Sequence, residues 1–269
     1  MQALPVYVIS LKSATDRQAL VAAHLGALDI QYELCEAVRG DALEPQRRHQ
    51  INPAGNMSPA QIGCYVSHIQ IYERMVREGT SVALILEDDA VLHPLVSGMV
   101  HAGCQTLDFD YCFLGCDDAG DSGYVYFDSS KATTLTSRLQ AYPISSGPYC
   151  LHAYLITLDG AKKRLLCAYP ARSAIDHYHY LPYQPRFLAV VPLLAFVSEL
   201  SAVHSMSSFN MSALQAAARQ YWWYYPLRDV LKFKILRKWR ARRSTVFPWT
   251  GRWESFESSL KVVRRSKRI

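Results

Sequence analysis

No stretch of the 269-residue chain reaches the roughly 20 consecutive apolar residues of a membrane-spanning helix; the nearest candidate, Phe187 to Val197, is interrupted by Pro192. Nor does the N-terminus combine basic residues, a long apolar run and a small-residue cleavage site, because the strand-like run Val6 to Leu11 begins almost at once. A cytosolic protein is therefore expected. The seven cysteines, Cys35, Cys64, Cys104, Cys112, Cys116, Cys150 and Cys167, are odd in number and include no CxxC pair and no spacing that suggests zinc, so most are expected to be small buried hydrophobes. Cys112 and Cys116 stand four residues apart, but they fall in a strand-like segment, which removes them as a ligand pair. Internal repeats and low-complexity tracts are absent as well. With half of its residues apolar, the chain is no disordered protein and can fill one sizeable core.

The charge is unevenly spread. Of the net +6, residues Arg228 to Ile269 carry +11, from 14 Lys or Arg against three acids, which leaves −5 for residues 1–227. An acidic body able to hold a cation and a cationic tail that seeks anions are implied. Along the body, apolar strand-like runs alternate with helical periodicity. Val6 to Leu11 leads into a helix over about Asp16 to Leu28, Tyr32 to Val38 reads as a second strand, and a long loop is expected through Met57. Ser58, Pro59 and Gln61 have the pattern of a capped helix start, Ile62, Tyr65, Ile69, Tyr72 and Val76 recur at helical spacing, and Gly79 can close the helix. Val82 to Leu86 follows as a doubly covered strand, then Tyr111 to Gly115, Tyr149 to Thr157, a helix over Gly160 to Cys167, and Phe187 to Leu194. The pattern predicts an α/β domain with a mostly parallel central sheet over residues 1–210. Residues 211–269 are expected to form a basic, aromatic helical extension.

The strand Val82 to Leu86 ends in Glu87-Asp88-Asp89. Open α/β sheets bind ligands beyond the carboxyl ends of their strands. Three adjacent carboxylates repel one another unless a cation or solvent compensates, and hard divalent ions bridge carboxylates to phosphates. A divalent metal bound to a diphosphate is the economical explanation; a strand that simply runs out into solvent is the bland one. Asp117 and Asp118 follow the next strand in the same way, with a solvated Asp-Asp-Ala-Gly-Asp-Ser-Gly turn as their alternative.

Several segments, in order, resemble glycosyltransferase family 25, which includes bacterial lipooligosaccharide galactosyltransferases and the related collagen galactosyltransferases. They are Val8-Ile9-Ser10-Leu11 with Asp16-Arg17, Ala37-Val38-Arg39-Gly40, Ile62-Gly63-Cys64-Tyr65-Val66-Ser67-His68, Leu84 to Ala90, His152 to Ile156 leading to Gly160-Ala161, and Ala174-Ile175-Asp176. Together they span about residues 6–205. The resemblance implies a GT-A type, Rossmann-like single domain, a UDP-sugar donor, Mn²⁺ or Mg²⁺, and inversion at the anomeric carbon. It assigns Glu87 and Asp89 to the metal, with His204 completing the site, and Asp88 to the ribose or donor sugar. Ser10, Leu11 and Arg17 would lie along the nucleotide, Val38 and Gly40 against the uracil, and Ser67 and His68 near the donor. An inverting transfer needs a base for the acceptor hydroxyl; Asp176, Asp117 and Asp118 are the candidates. Gln61 stands where many relatives carry an acid.

Tyr221 to Tyr225 precede a stretch in which Leu227, Val230, Leu231, Ile235 and Trp239 line one helical face and eight Lys or Arg supply the others. Aromatics beside a basic amphipathic helix suit an anionic membrane surface. No recognised nucleic-acid motif accompanies them. The whole reading is a metal-dependent transferase, most simply a β-galactosyltransferase, peripheral on the inner face of the cytoplasmic membrane and acting on a lipooligosaccharide or other glycan or glycolipid acceptor. A sugar-phosphate nucleotidyltransferase shares the carboxylates but needs a Gly-rich, Lys-containing loop that Leu11 to Arg17 lacks. The third alternative is a noncatalytic membrane-binding protein with a degenerate transferase body.

Overall fold

The computed structural model describes residues 3–115, 124–128, 130–144, 148, 151–191, 193–197 and 245–248. The strands are β1 (Val6–Ser10), β2 (Glu33–Glu36), β3 (Val82–Glu87), β4 (Ala90–Leu92), β5 (Tyr111–Phe113), β6 (Tyr124–Phe127), β7 (Thr133–Thr134), β8 (Gln140–Pro143), β9 (Ala153–Thr157), β10 (Phe187–Val190), β11 (Ala195–Val197) and β12 (Thr245–Pro248). The helices are α1 (Thr15–Ala27), α2 (Pro45–Ile51), α3 (Pro59–Glu78), α4 (Leu95–Ala102) and α5 (Leu158–Leu165), with a short 3₁₀ turn at Tyr178–Tyr180.

Eight strands form the main sheet in the order β2-β1-β3-β9-β5-β10-β8-β7. The α/β class expected from the sequence holds, but the mostly parallel sheet does not. Three of the seven pairings are parallel and four are antiparallel. Two of the four come from β9, which runs back between β3 and β5 and is antiparallel to both, and the other two from β8, which is antiparallel to β10 and β7. A fully buried strand such as Ala153–Thr157 reads alike in either direction, so alternating apolar runs and helices carry no record of its sense.

Alternation along the strands builds two apolar layers. Tyr7, Ile9, Ala83 and Ile85 face α3, where they meet Ile62, Tyr65, Ile69, Tyr72 and Met75. Val6, Val8, Leu84 and Leu86 face the opposite layer with Val21 and Leu25 of α1 and Val96 and Met99 of α4. Helix α3 starts as its sequence requires: the Ser58 hydroxyl accepts from the Gln61 N–H at 3.2 Å and the Gln61 side chain accepts from the Ser58 N–H at 2.8 Å. Gly79 ends it in the left-handed conformation, φ 68°.

At the sheet edge away from the acidic strand end, Asp110 joins β5, α5 and β10. Its carboxylate accepts from Lys163 at 2.9 Å, from the Arg186 guanidinium at 3.1 Å and from the Arg186 N–H at 2.8 Å. Burial works against its charge, but these three donors outweigh it and hold the carboxyl below its ordinary range. Within residues 211–269, only Thr245–Pro248 is described, and it is a strand paired antiparallel with β6. The helical face from Leu227 to Trp239 lies outside the described residues.

Candidate active site

Parallel pairing of β1, β2 and β3 delivers Ser10, Glu36 and Glu87 to one edge of the sheet, with Ile9 opposite Glu87 and Ser10 opposite Glu36. The reversed β9 adds its beginning to that edge: the Glu87 N–H donates to the His152 carbonyl at 2.9 Å. Gly115, past the end of β5, is pressed between the His152 ring and the Ala195 carbonyl, where a Cβ would collide with both. Five strand termini, the ends of β1, β2, β3 and β5 and the beginning of β9, therefore lie at the edge that carries the acidic triplet.

Each of the three acids has different company. Asp88 is buried and accepts from the Ser10 hydroxyl at 2.6 Å, while Arg17 from the first turn of α1 lies 3.1 Å from its other oxygen. Gln18 braces the same corner by donating to Ser10 Oγ at 3.3 Å and to the Leu11 carbonyl at 2.8 Å. Even so, burial outweighs the serine and the arginine, and the Asp88 carboxyl is raised. Glu87 Oε1 lies 3.5 Å from Nε2 of the buried His68. Burial opposes the Glu87 charge, but His68, His152 and Arg17 together bring its carboxyl below the usual value. At Asp89 the compensation, from Arg17 and a backbone hydrogen bond, is too small. Burial first, and then the charges of Glu87 and Asp88, push it up to about 7, and its Oδ1 is a buried oxygen without a hydrogen-bond donor.

A divalent cation fits this arrangement. An unsatisfied buried carboxylate oxygen, two acidic neighbours and a carboxyl raised by burial and by their repulsion are the conditions that an ion with hard oxygen preference relieves. Beside the acids, a cleft of about 340 Å³ is lined by Leu11, Lys12, Ser13, Glu36, Ala37 and Arg39. Its wall is fixed from behind. The Val38 N–H donates to Ser67 Oγ at 2.8 Å, and Ser67 donates in turn to the Gly63 carbonyl at 2.7 Å. Gly40 lies directly on the backbone of Pro59 and Gly63, and a Cβ on either Gly40 or Gly63 would strike backbone of the other segment.

The structure thus brings together Ser10, Leu11, Arg17, Val38, Gly40, Ser67, His68, Glu87, Asp88 and Asp89 at one sheet edge. Ser67 and His68 are buried behind the cleft wall and the Glu87 carboxylate, and Val38 and Gly40 attach the wall to α3. Asp176 precedes the 3₁₀ turn, partly exposed, with His177 Nε2 at 4.0 Å. Asp117, Asp118 and His204 lie outside the described residues. Sequence reasoning passed over His152 and Gln18 as site residues. His152 stood within a quoted motif, but only the antiparallel sense of β9 brings it to the acids. Cys64 was dismissed with the other cysteines for want of a CxxC spacing, yet its sulfur lies 3.9 Å from Glu87 Oε1.

Fold and site define a mixed α/β domain with a cation-ready carboxylate cluster and an adjoining cleft at the carboxyl ends of its parallel strands, where open α/β sheets take ligands. The sequence pattern of glycosyltransferase family 25 (LPS biosynthesis protein) matches residues 3–179. The chain belongs to that family. A glycosyltransferase 25 family member of Anopheles gambiae is 28% identical over 193 residues, covering 66% of this chain and 31% of that protein. The inactive glycosyltransferase 25 family member 3 of Homo sapiens is 24% identical over 193 residues, with the same 66% and 31% coverage. Procollagen galactosyltransferase 1-A of Xenopus laevis is 26% identical over 203 residues, 66% of this chain and 30% of that one. The chain spans about a third of the length of these relatives.

Proposed function

We propose that this chain is a divalent-metal-dependent glycosyltransferase of GT-A type that takes a UDP-sugar, with galactose as the sugar, and transfers it with inversion to a glycan or glycolipid such as lipooligosaccharide. The observation that carries the proposal is Asp89, a half-buried carboxylate raised to about 7 with an unsatisfied oxygen, next to two other acids and beside an open cleft. Galactose rests on the name of the Xenopus relative.

In this reading Glu87 and Asp89 hold Mn²⁺ or Mg²⁺, which when bound supplies the positive charge that stabilises a departing diphosphate. Asp88, held by Ser10 and Arg17, is oriented before any ligand arrives, so its free lone pairs point at ribose or sugar hydroxyls without reorganisation. The cleft from Leu11 to Arg39 takes the nucleoside, with Val38 and Gly40 keeping its wall against α3. A carboxylate, Asp176 or one of Asp117 and Asp118, accepts the proton of the acceptor hydroxyl. Among the described residues no helix is long and apolar enough to cross a membrane. Attachment to the inner face of the cytoplasmic membrane is assigned to the basic segment after residue 211.

A second reading is favoured by one observation: a relative of comparable similarity is named inactive. One experiment decides between them. UDP-galactose, UDP-glucose and UDP-N-acetylglucosamine are incubated with the protein and Mn²⁺, with and without EDTA, and released UDP is measured for the wild type and Asp89→Asn. Consumption of UDP-galactose above the other two donors, abolished by EDTA and by the substitution, is expected. No binding or turnover of any donor would establish a degenerate body.

A further inference from the structure

Helix α3 and the end of β3 carry a second donor set, which shares only Glu87 with the oxygen-only metal position proposed above. Cys64 and His68 are four residues apart, hence on one face of α3, and that face meets Glu87. Cys64 Sγ, a His68 nitrogen and a Glu87 oxygen all lie within 4.8 Å of one another. The two contacts to Glu87 Oε1 measure 3.9 Å from the sulfur and 3.5 Å from His68 Nε2. Ligands at the usual zinc–sulfur, zinc–nitrogen and zinc–oxygen bond lengths, placed at tetrahedral angles, stand roughly 3.5 Å apart. The two contacts to Glu87 are close to that spacing, and Cys64 Sγ lies within 4.8 Å of the His68 nitrogen.

The orientation of His68 supplies the independent observation. Its ring is 0% exposed, and Nδ1 lies 2.8 Å from the Tyr154 hydroxyl, which lies 2.7 Å from the Tyr72 hydroxyl. Metal binding uses the tautomer in which Nδ1–H donates to Tyr154 and Tyr154 to Tyr72, which turns the Nε2 lone pair towards the ion; without an ion, Nε2 lies 3.5 Å from Glu87 Oε1 and favours the charge of that carboxylate. Nε2 is buried, has no hydrogen-bond partner and faces Glu87. A histidine fixed through one nitrogen by a buried hydroxyl and presenting the other is the usual way a protein orients an imidazole ligand. A buried tyrosine pair behind a histidine has no part in donor binding as derived above.

We propose that Cys64, His68 and Glu87 form a binding site for Zn²⁺, with a fourth position left to solvent. Thiolate and imidazole select a borderline-soft ion, whereas Asp89 and its neighbours offer oxygen alone and suit Mn²⁺ or Mg²⁺. Glu87 belongs to both sets, so one ion displaces the other from it. That last consequence rests on the function proposed above; the zinc site itself does not.

Cobalt(II) serves as the visible probe. The full chain is freed of metal and titrated with Co²⁺, following the sulfur-to-cobalt absorption in the near ultraviolet, then back-titrated with Zn²⁺. The wild type is expected to develop the band with one equivalent and to lose it to one equivalent of Zn²⁺. Cys64→Ser, a near-isosteric change at a partly exposed position, is expected to abolish the band while its circular dichroism and melting stay those of the wild type. Asp89→Asn is expected to retain it, which separates this site from the proposed catalytic one. No band in the wild type, a band that survives Cys64→Ser and so belongs to another thiol, or a band lost in Asp89→Asn would each overturn the proposal.

Discussion

Asp89 sits where burial and two neighbouring carboxylates act on it together, and the direction of its shift has a consequence for the metal-free protein. The unfolded chain releases this proton near pH 4, the folded chain at about 7. A raised carboxyl means that the folded state holds the extra proton between those values, so folding stability declines as pH rises through that window and the loss is complete above it. Asp89→Asn removes the charge and keeps the shape. In urea unfolding at pH 8 without metal, the variant is expected to be more stable than the wild type, on the order of 2 kcal/mol, and near pH 4 the difference is expected to vanish. If Asp89 holds the ion as proposed, Mn²⁺ is expected to reverse the order at pH 8, because an ion that binds only the folded wild type raises its midpoint and leaves the variant unmoved. A variant less stable than the wild type at pH 8 would mean that Asp89 is compensated by a partner instead of strained. The triplet itself was legible in the sequence because three acids at the end of an apolar run are visible in any window. The unequal company of the three was not, since Ser10, Arg17, His68 and His152 come from four separate places in the chain.

Among the elements, the contact between the Val38–Gly40 segment and the first turns of α3 decides the shape of the cleft. Two glycines in helices make opposite cases. In an open helix position alanine is favoured over glycine by up to about 1 kcal/mol, and at Gly26 in α1 nothing stands within 4 Å of an added Cβ. At Gly63 the same Cβ meets the Val38 carbonyl and the Gly40 N–H, backbone groups that cannot rotate aside. Overpacking of this kind costs about 1–3 kcal/mol, which exceeds the helix gain. Gly26→Ala should therefore raise the urea midpoint slightly and Gly63→Ala lower it, and only the second should weaken nucleotide binding in calorimetry, because it lifts the wall that Ala37 and Arg39 present. Equal effects at the two sites would refute the close packing. Helix α3 shows how far sequence reaches at this scale. Ser58, Pro59, Gln61 and Gly79 act through partners three or four residues away, so both its ends are legible. The sequence predicts a loop where α2 forms, because its seven residues are too few for a periodic apolar face, and β4 and β11 are too short to register.

Over the whole molecule, order along the chain and order in space diverge at β9. It is the ninth strand, yet it lies fourth in the sheet, between β3 and β5. Sequence patterning records which face a residue buries and says nothing about which strand lies beside it, so a mostly parallel sheet was the natural reading of alternating elements. Charge is different, since net charge is additive and needs no fold. The −5 of residues 1–227 against the +11 of Arg228 to Ile269 stands whatever structure the tail adopts. Each basic residue near an anionic lipid surface contributes about 1 kcal/mol, screened within a Debye length of about 10 Å at 0.1 M salt. The acidic body repels the same surface, so attachment depends on the tail's +11 outweighing that repulsion. The 269-residue chain is therefore expected to sediment with phosphatidylglycerol vesicles and not with phosphatidylcholine vesicles. Raising the salt from 0.05 to about 0.5 M should release most of it if attachment is electrostatic. Aromatic insertion by Trp222, Trp223 and Trp239 would show as a fraction that stays bound at high salt with blue-shifted tryptophan fluorescence. Removal of residues 226–269 should end both, and undiminished binding by the shortened chain would shift the membrane contact onto the body.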